Sequence, residues 1–233
     1  MMRVSLQPSF VLHTRPYRNT SLLVELFTQQ YGRVSAIARS ARGPKSRYKG
    51  CLQPFVPLLV SWSGREELMQ LGAVELQSMP YLLNGKALLS GFYLNELLIR
   101  LVGLYEECST LVIDYQKALE SLSQNKDLQI SLRLFEKQLL ASLGYGLILD
   151  KDSQGKPIRT ECWYQWLPNS GLSLLELYSS QKLAPIFCGR SLLALHQERW
   201  ENGELLQDAK HFMRLIIKHY LGSKVLKSRE LMS

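Results

Sequence analysis

Phe10-Val11-Leu12-His13-Thr14, closed by Arg15-Pro16-Tyr17-Arg18-Asn19, is the first of five short runs that decide the fold. An apolar run of this length ending in a Pro/Asn turn reads as a strand. Ser21 to Thr28 runs apolar until Gln29-Gln30-Tyr31-Gly32 breaks it, and Arg33-Val34-Ser35-Ala36-Ile37-Ala38-Arg39 alternates again. After a basic loop containing Gly and Pro, Phe55 to Trp62 is a fourth run, and Ser63-Gly64-Arg65 turns into a fifth, Glu67 to Glu75. Five strands within about 70 residues predict a small closed barrel of the OB type, the five-stranded Greek-key barrel.

From Gly85 onward the apolar period changes from two to that of a helix. Leu88, Leu89, Phe92, Tyr93, Leu97, Leu101 and Leu104 recur at helical spacing, then Leu111, Tyr115, Ala118, Leu119 and Leu122, then Leu128, Leu132, Phe135, Leu139, Leu140 and Leu143. Gly144 stops the third helix. Asp150 to Pro157 reads as an exposed loop, and Trp163 to Leu167 with Gly171 to Tyr178 reads as an irregular hairpin. Two more helical segments, Ser191 to Glu201 and Glu204 to Tyr220, close the chain. The expected class is therefore α+β. Residues 1–80 form an OB-fold, and residues 81–233 form a mostly helical domain with a small hairpin insertion near 148–180.

The 233 residues are 46% hydrophobic, enough for a real core, and carry a formal net charge of +8. No uncharged apolar run reaches about 18 residues, and the first residues lack the pattern of a signal peptide. The expected location is the cytoplasm, in association with the nucleoid. The charge is segregated. Residues 1–80 carry ten Lys/Arg against four Asp/Glu, residues 81–209 twelve against fifteen, and residues 210–233 six against one. Two basic ends attract a polyanion over about a Debye length, so nucleic acid is the first candidate partner.

The stretch from Arg33 to Lys49 concentrates this charge in Arg33, Arg39, Arg42, Lys45, Arg47 and Lys49, with no acidic residue between Glu25 and Glu66. Serines and glycines between the cations let backbone amides and hydroxyls approach phosphate oxygens as well. Tyr17, Tyr31 and Tyr48 flank loops and could stack on unpaired bases. At the other end, Lys210, Arg214 and Lys218 recur every four residues on one helical stripe, and Lys224, Lys227 and Arg229 follow. Cations late in a helix also suit its dipole, so part of this pattern can be structural.

Nothing in the sequence marks a catalytic centre or a metal site. There is no phosphate-binding glycine loop, nucleophile elbow or His-Glu-x-x-His motif, and the carboxylates are scattered along amphipathic helices. Cys51, Cys108, Cys162 and Cys188 lie 57, 54 and 26 residues apart, with no C-x-x-C pair to close a tetrahedral zinc site. No enzyme activity, cofactor or metal is expected.

The chain resembles the RecO family. The likeness is carried by Phe10 to Ser21 with Phe27-Thr28 and Gly32-Arg33-Val34, and by Gly50-Cys51-Leu52-Gln53-Pro54-Phe55. It continues through Tyr93-Leu94-Asn95-Glu96-Leu97, Leu143-Gly144-Tyr145-Gly146, Phe187-Cys188-Gly189-Arg190 and Leu221 to Leu231, in order over the whole chain. The resemblance implies an OB-fold, a helical bundle, and in many relatives a four-cysteine zinc module. With only Cys162 and Cys188 in that region, the chain is similar to the zinc-free, enterobacterial-like branch.

The implied role is that of a recombination mediator without an active site. Such a protein binds single- and double-stranded DNA, anneals complementary strands, contacts the acidic tail of single-strand-binding protein, pairs with RecR and helps load RecA in gap repair. On this analogy Arg133, among Leu132, Leu134 and Phe135, is the candidate for the tail. Two readings from other classes stay open, a nuclease or hydrolase with a cryptic site and an interaction scaffold that does not bind DNA. Metal analysis of the purified protein is expected to find no zinc; one zinc per chain would overturn the cysteine reading.

Overall fold

Alternation of buried and partly exposed side chains builds the N-terminal sheet. Gly32–Ala38 (β3) alternates strictly between the two along its whole length, the period that turns one side of a strand inward. The computed structural model describes residues 2–65, 68–175, 185–200 and 203–231. Its first five strands are β1 (Met2–Tyr17), β2 (Ser21–Thr28), β3, β4 (Leu58–Gly64) and β5 (Leu68–Leu76). They close a barrel in the order β1-β2-β3-β5-β4, with β3 and β5 parallel and the other pairs antiparallel.

Closure depends on the length and bending of β1. Its first half pairs with β4, from Met2 opposite Gly64 to Ser9 opposite Leu58, and its second half pairs with β2. The register shifts between Val4 and Gln7 and again between Val11 and His13, and Leu6 adopts a positive φ of 48°. Such bulges bend a strand and increase its twist, which lets one strand serve two neighbours around a barrel. They also hide the strand from a search for alternation, so the expected start at Phe10 falls eight residues after the real one. At the other end, Arg15 to Tyr17 continue the strand and the turn is confined to Arg18-Asn19-Thr20.

The β3–β4 connection, residues 39–57, folds back on the barrel. Its apolar residues Tyr48, Leu52 and Val56 join Val24, Leu26, Leu58, Val60 and Trp62 in one core. Two helices, α1 (Gly85–Leu101) and α2 (Ser109–Ser123), cover the outer face of β1 and β2. Phe10 and Phe27 point at this cover and meet the Tyr115 ring edge-on, at 5.1 and 5.9 Å between centroids. Residues 102–105 then run beside the start of β3, where Tyr105 N–H donates to the Arg33 carbonyl at 2.9 Å. Gly32 makes that approach possible. A Cβ there would lie 1.8 Å from the Glu106 carbonyl oxygen, and the residue sits at φ +56°.

Residues 1–128 with 224–233 form one compact unit and residues 129–223 a second. In the second, α3 (Leu128–Ser142), a three-stranded sheet in the order β7-β6-β8, α4 (Gly189–Gln197) and α5 (Gly203–Leu221) enclose a separate core around Tyr164, Phe187, Leu195, Phe212 and Ile216. The sheet comprises β6 (Trp163–Leu167), β7 (Gly171–Leu174) and β8 (Ile186–Cys188). The hairpin expected from Trp163 is thus present, with β7 ending at Leu174; Glu176 to Tyr178 of the expected second arm and Glu201 of the expected helix lie outside the described residues. The chain ends in the short helix α6 (Lys227–Leu231), which belongs to the first unit.

Tyr115 is fully buried, and its hydroxyl donates to the Asn95 side-chain carbonyl at 2.5 Å. Burial holds its pKa far above the ordinary tyrosine value, so the donor is always present. Tyr115→Phe would strip a buried acceptor of its donor. We expect a loss of about 1–3 kcal/mol in urea unfolding, with the denaturant slope unchanged.

Candidate nucleic-acid interface

The basic loop is displayed because its apolar residues anchor it. Tyr48 is 3% exposed, and its hydroxyl donates to the Leu71 carbonyl at 3.0 Å. With the aromatic turned inward, Arg39, Arg42, Lys45, Arg47 and Lys49 are all exposed. Arg47 has a second role, since one guanidinium nitrogen lies 2.7 Å from the Tyr48 hydroxyl and the group sits over the ring at 4.9 Å. Arg33 stands apart from this group. It is half-buried on β3, with its guanidinium 3.8 Å from Glu25, a carboxylate whose two oxygens share the Ser35 hydroxyl proton.

A second basic element joins the loop. Arg42 N–H donates to the Thr20 carbonyl at 2.8 Å, which sets the loop against the β1–β2 turn. That turn brings in the exposed Arg18, over the half-buried Tyr17 ring at 5.3 Å, and the end of β1 before it brings in the exposed Arg15. Register places Tyr17 opposite Ser21, and Arg15 opposite Leu23, which in turn faces Ile37 on β3. One face of β1-β2-β3, at the end where the loop leaves, therefore presents arginines beside an aromatic ring. Sequence reading treated Arg15 to Asn19 only as a turn. The missed signal was two arginines in a turn without an acid.

The three tyrosines diverge. Tyr17 remains half-open at the surface, Tyr48 fills the barrel, and Tyr31 packs edge-on against the buried Trp62 at 5.4 Å. Of these, Tyr17 alone lies beside exposed cations and keeps a ring face near solvent.

The C-terminal cations divide between the two units. Lys210 is half-buried on α5, and Arg214 and Lys218 are exposed. The later residues fold back on α1. Lys224 Nζ donates to the Arg100 carbonyl at 3.0 Å, and Arg229 lies over the Tyr93 ring at 5.5 Å and donates to its hydroxyl at 3.2 Å. Lys227 stays exposed while its backbone N–H donates to Glu96 at 3.0 Å. The expected free basic tail is thus a docked segment, and Lys224 and Arg229 serve that docking.

Arg133, the residue proposed for the acidic tail, is buried. Its side chain is 4% accessible and lies 2.5 Å from Glu136, itself fully buried one helical turn on. A helix with Leu132, Phe135, Leu139 and Leu140 facing a core takes this pair inward with them. The field of the pair extends to α5, however. Lys210 has a lowered pKa, first from burial and then from the nearby charges of Arg214 and Arg133.

Among the described residues no group of three His, Cys, Asp or Glu gathers as a metal site, and no helix is long and apolar enough to cross a membrane. Cys188 donates to the Thr160 carbonyl at 3.2 Å, and the Cys162 carbonyl accepts from Gly189 N–H at 2.8 Å. Burial and the neighbouring Glu106 and Glu107 push the Cys108 thiol up to about 11, which keeps it protonated.

The barrel order, the basic rim and the helical remainder define an α+β protein built on an OB-like barrel. Comparison with known proteins sharpens this. A model of the recombination protein O N-terminal domain matches residues 2–79, and one of its C-terminal domain matches residues 82–230. A DNA repair protein RecO of Coxiella burnetii is 52% identical over 99% of this chain and 98% of its own length. RecO proteins of Methylococcus capsulatus and Yersinia pestis are 43% and 42% identical, over 98% and 97% of this chain and 93% and 92% of theirs. The chain belongs to the RecO family of DNA repair and recombination proteins.

The docked C-terminus has a pH signature. Burial alone would raise the Glu96 pKa, but hydrogen bonds from the Ser228 hydroxyl and backbone and from Lys227, with Arg100 nearby, hold it below the ordinary carboxylate value. A depressed folded-state pKa gives stabilisation that is complete above the unfolded value of 4.5 and is lost as pH falls through the folded one. Protection of the amides of residues 226–230, measured against their intrinsic exchange rate at each pH, should therefore fall at acid pH before the barrel opens. In Glu96→Gln that pH step should disappear, and an unchanged step would place its origin elsewhere.

Proposed function

We propose that this protein is a DNA-binding recombination mediator. In this reading it anneals complementary strands and, with RecR, helps load RecA onto DNA coated by single-strand-binding protein. The observation that supports it most is the cluster of Arg15, Arg18, Arg39, Arg42, Lys45, Arg47 and Lys49, gathered at one end of the barrel by the Arg42–Thr20 hydrogen bond. Mediation needs no bond-making chemistry. Two phosphate backbones repel, and cations that neutralise both let complementary bases meet. Reversible contacts also allow the strand to be passed on, because each is a screened, exchangeable ion pair.

Lys210, Arg214 and Lys218 are the auxiliary DNA contacts in this reading, with Lys227 at the exposed edge of the docked C-terminus. The acidic tail of single-strand-binding protein would be drawn to the second unit. There Lys210 and Arg214 are the cations a carboxylate can reach, while Arg133 adds to the field from beneath them.

Both halves are tested by one pair of titrations. Single-stranded DNA affinity should fall with salt at a log–log slope of roughly −3 to −4, each phosphate contact contributing about −0.7. Replacing Arg39, Arg42 and Lys45 with alanine should flatten the slope by about two. A peptide of several aspartates ending in an apolar residue should instead lose affinity with Lys210→Ala and keep it in the loop variant. An unchanged slope sinks the loop as the DNA site, and equal peptide losses in both variants sink the separate tail site.

A further inference from the structure

An aromatic cleft in the second unit takes no part in the function proposed above. Gly144 ends α3 in a left-handed turn (φ +81°), and Tyr145 N–H donates to the Leu140 carbonyl at 2.8 Å. This cap turns the chain out of the helix and sets Tyr145 on the surface, 46% exposed. Its ring stacks on Tyr220, from the last turn of α5, at 4.1 Å between centroids and 24° between planes. Trp166 on β6 lies edge-on to His219 at 5.2 Å, and His219 edge-on to Tyr220 at 5.1 Å. Tyr145 after α3, Trp166 on β6 and Tyr220 on α5 thus line a cleft of about 300 Å³, with His219 packed between Trp166 and Tyr220.

The cleft's chemistry narrows the ligand. Its walls include Tyr145, Tyr220, Trp166 and Phe212, and Asn169 and Ser170 of the β6–β7 turn stand at its edge, both exposed. None of the lining residues is a carboxylate. A planar, uncharged ring with hydrogen-bonding edges fits this set, with the aromatic faces stacking on it and the amide and hydroxyl meeting its edge. The exposed cations Arg214 and Lys218 lie on the same helix as Tyr220, so a ligand carrying phosphates on either side of its ring is favoured over an apolar peptide or a lipid.

The geometry points to a nucleobase-stacking site in which an unpaired base of single-stranded DNA lies against Tyr145 and Tyr220. The inference rests on the DNA-binding reading and adds base contact to it. The basic rim neutralises phosphates whatever base they carry, while this cleft engages a base only when it is unpaired. A strand held here has left its duplex partner, so the cleft separates single strands from duplex in a way that charge alone does not.

The test uses the full-length protein and two oligonucleotides of equal phosphate number, one of thymidines and one of abasic residues. The thymidine strand should bind more tightly and quench tryptophan fluorescence, and Trp166→Phe should remove that quenching. Tyr145→Ala should weaken the thymidine strand about tenfold or more, leave the abasic strand unchanged, and keep the salt slope of the parent. Tyr145→Phe, which keeps the ring, should restore affinity.

Because the abasic comparison is made on the unaltered protein, it stands even if the alanine variant folds poorly. Equal affinity for both strands, or equal loss of both in Tyr145→Ala, overturns the stacking site and leaves the rim reading intact. Failure of the unaltered protein to bind either strand at moderate salt overturns both.

Discussion

One buried side chain, Asn95, ties three elements of the first unit together. Its amide donates to the Leu12 carbonyl on β1 at 3.0 Å, and its carbonyl accepts the Tyr115 hydroxyl from α2. Asn95 is 2% exposed, so each of these groups has given up water and depends on its partner. An apolar residue there could fill the volume. It could not fix the angle at which α1 crosses the barrel, because dispersion is tolerant of sliding and a pair of hydrogen bonds is not. The rings of Phe10 and Phe27 against Tyr115 then make the same junction tight.

The same turn of α1 also holds the end of the chain. Asn95 faces the barrel. Its neighbour Glu96 accepts three hydrogen bonds from Lys227 and Ser228, and Tyr93, also on α1, receives Arg229. Leu226 and Ser228 are buried in this dock. The short α6 is too brief to be stable by itself, since helix nucleation is unfavourable and few bonds repay it. Its first amides are satisfied by a carboxylate from another helix, as the helix dipole favours. This single turn is the Tyr-Leu-Asn-Glu-Leu block of the family resemblance, and its polar members each have a structural partner.

Much of this architecture was legible from periodicity, and the failures have specific causes. Short apolar or alternating runs between turn signals marked the five strands, and period-3.6 runs marked α1, α2 and α3 to within a few residues. The N-terminal half of β1 was not legible, because bulges at Val4/Gln7 and Val11/His13 break the alternation that signals a strand. The docked C-terminus was not legible either. The sequence Lys224 to Arg229 carries cations that look solvated until Glu96 and Tyr93, about 130 residues earlier, are brought beside it. The pairing of Arg133 was not legible for the same reason, its partner Glu136 being visible in sequence but the burial of both not. Gly144-Tyr145 read as a helix stop, and only the return of α5 shows that the stop also places a ring against Tyr220.

Cations on this chain therefore divide by what anchors them. Arg33, Arg133 and Arg229 meet a carboxylate, or a ring and hydroxyl, within the fold, and their charge is largely used there. Arg39, Arg42, Lys45 and Lys49 have no such role in the geometry described; the loop is held by Tyr48 and Arg47, which frees the charges around them. A charge left exposed gains little for stability, since surface ion pairs contribute only about 0–1 kcal/mol. Massing such charges on one rim costs some self-repulsion, which a polyanion relieves on binding. Arg47 apart, which belongs to both, the cations that hold the fold and those left exposed on the rim are thus separate sets, so a polyanion can draw on the exposed charge without loosening the barrel that presents it.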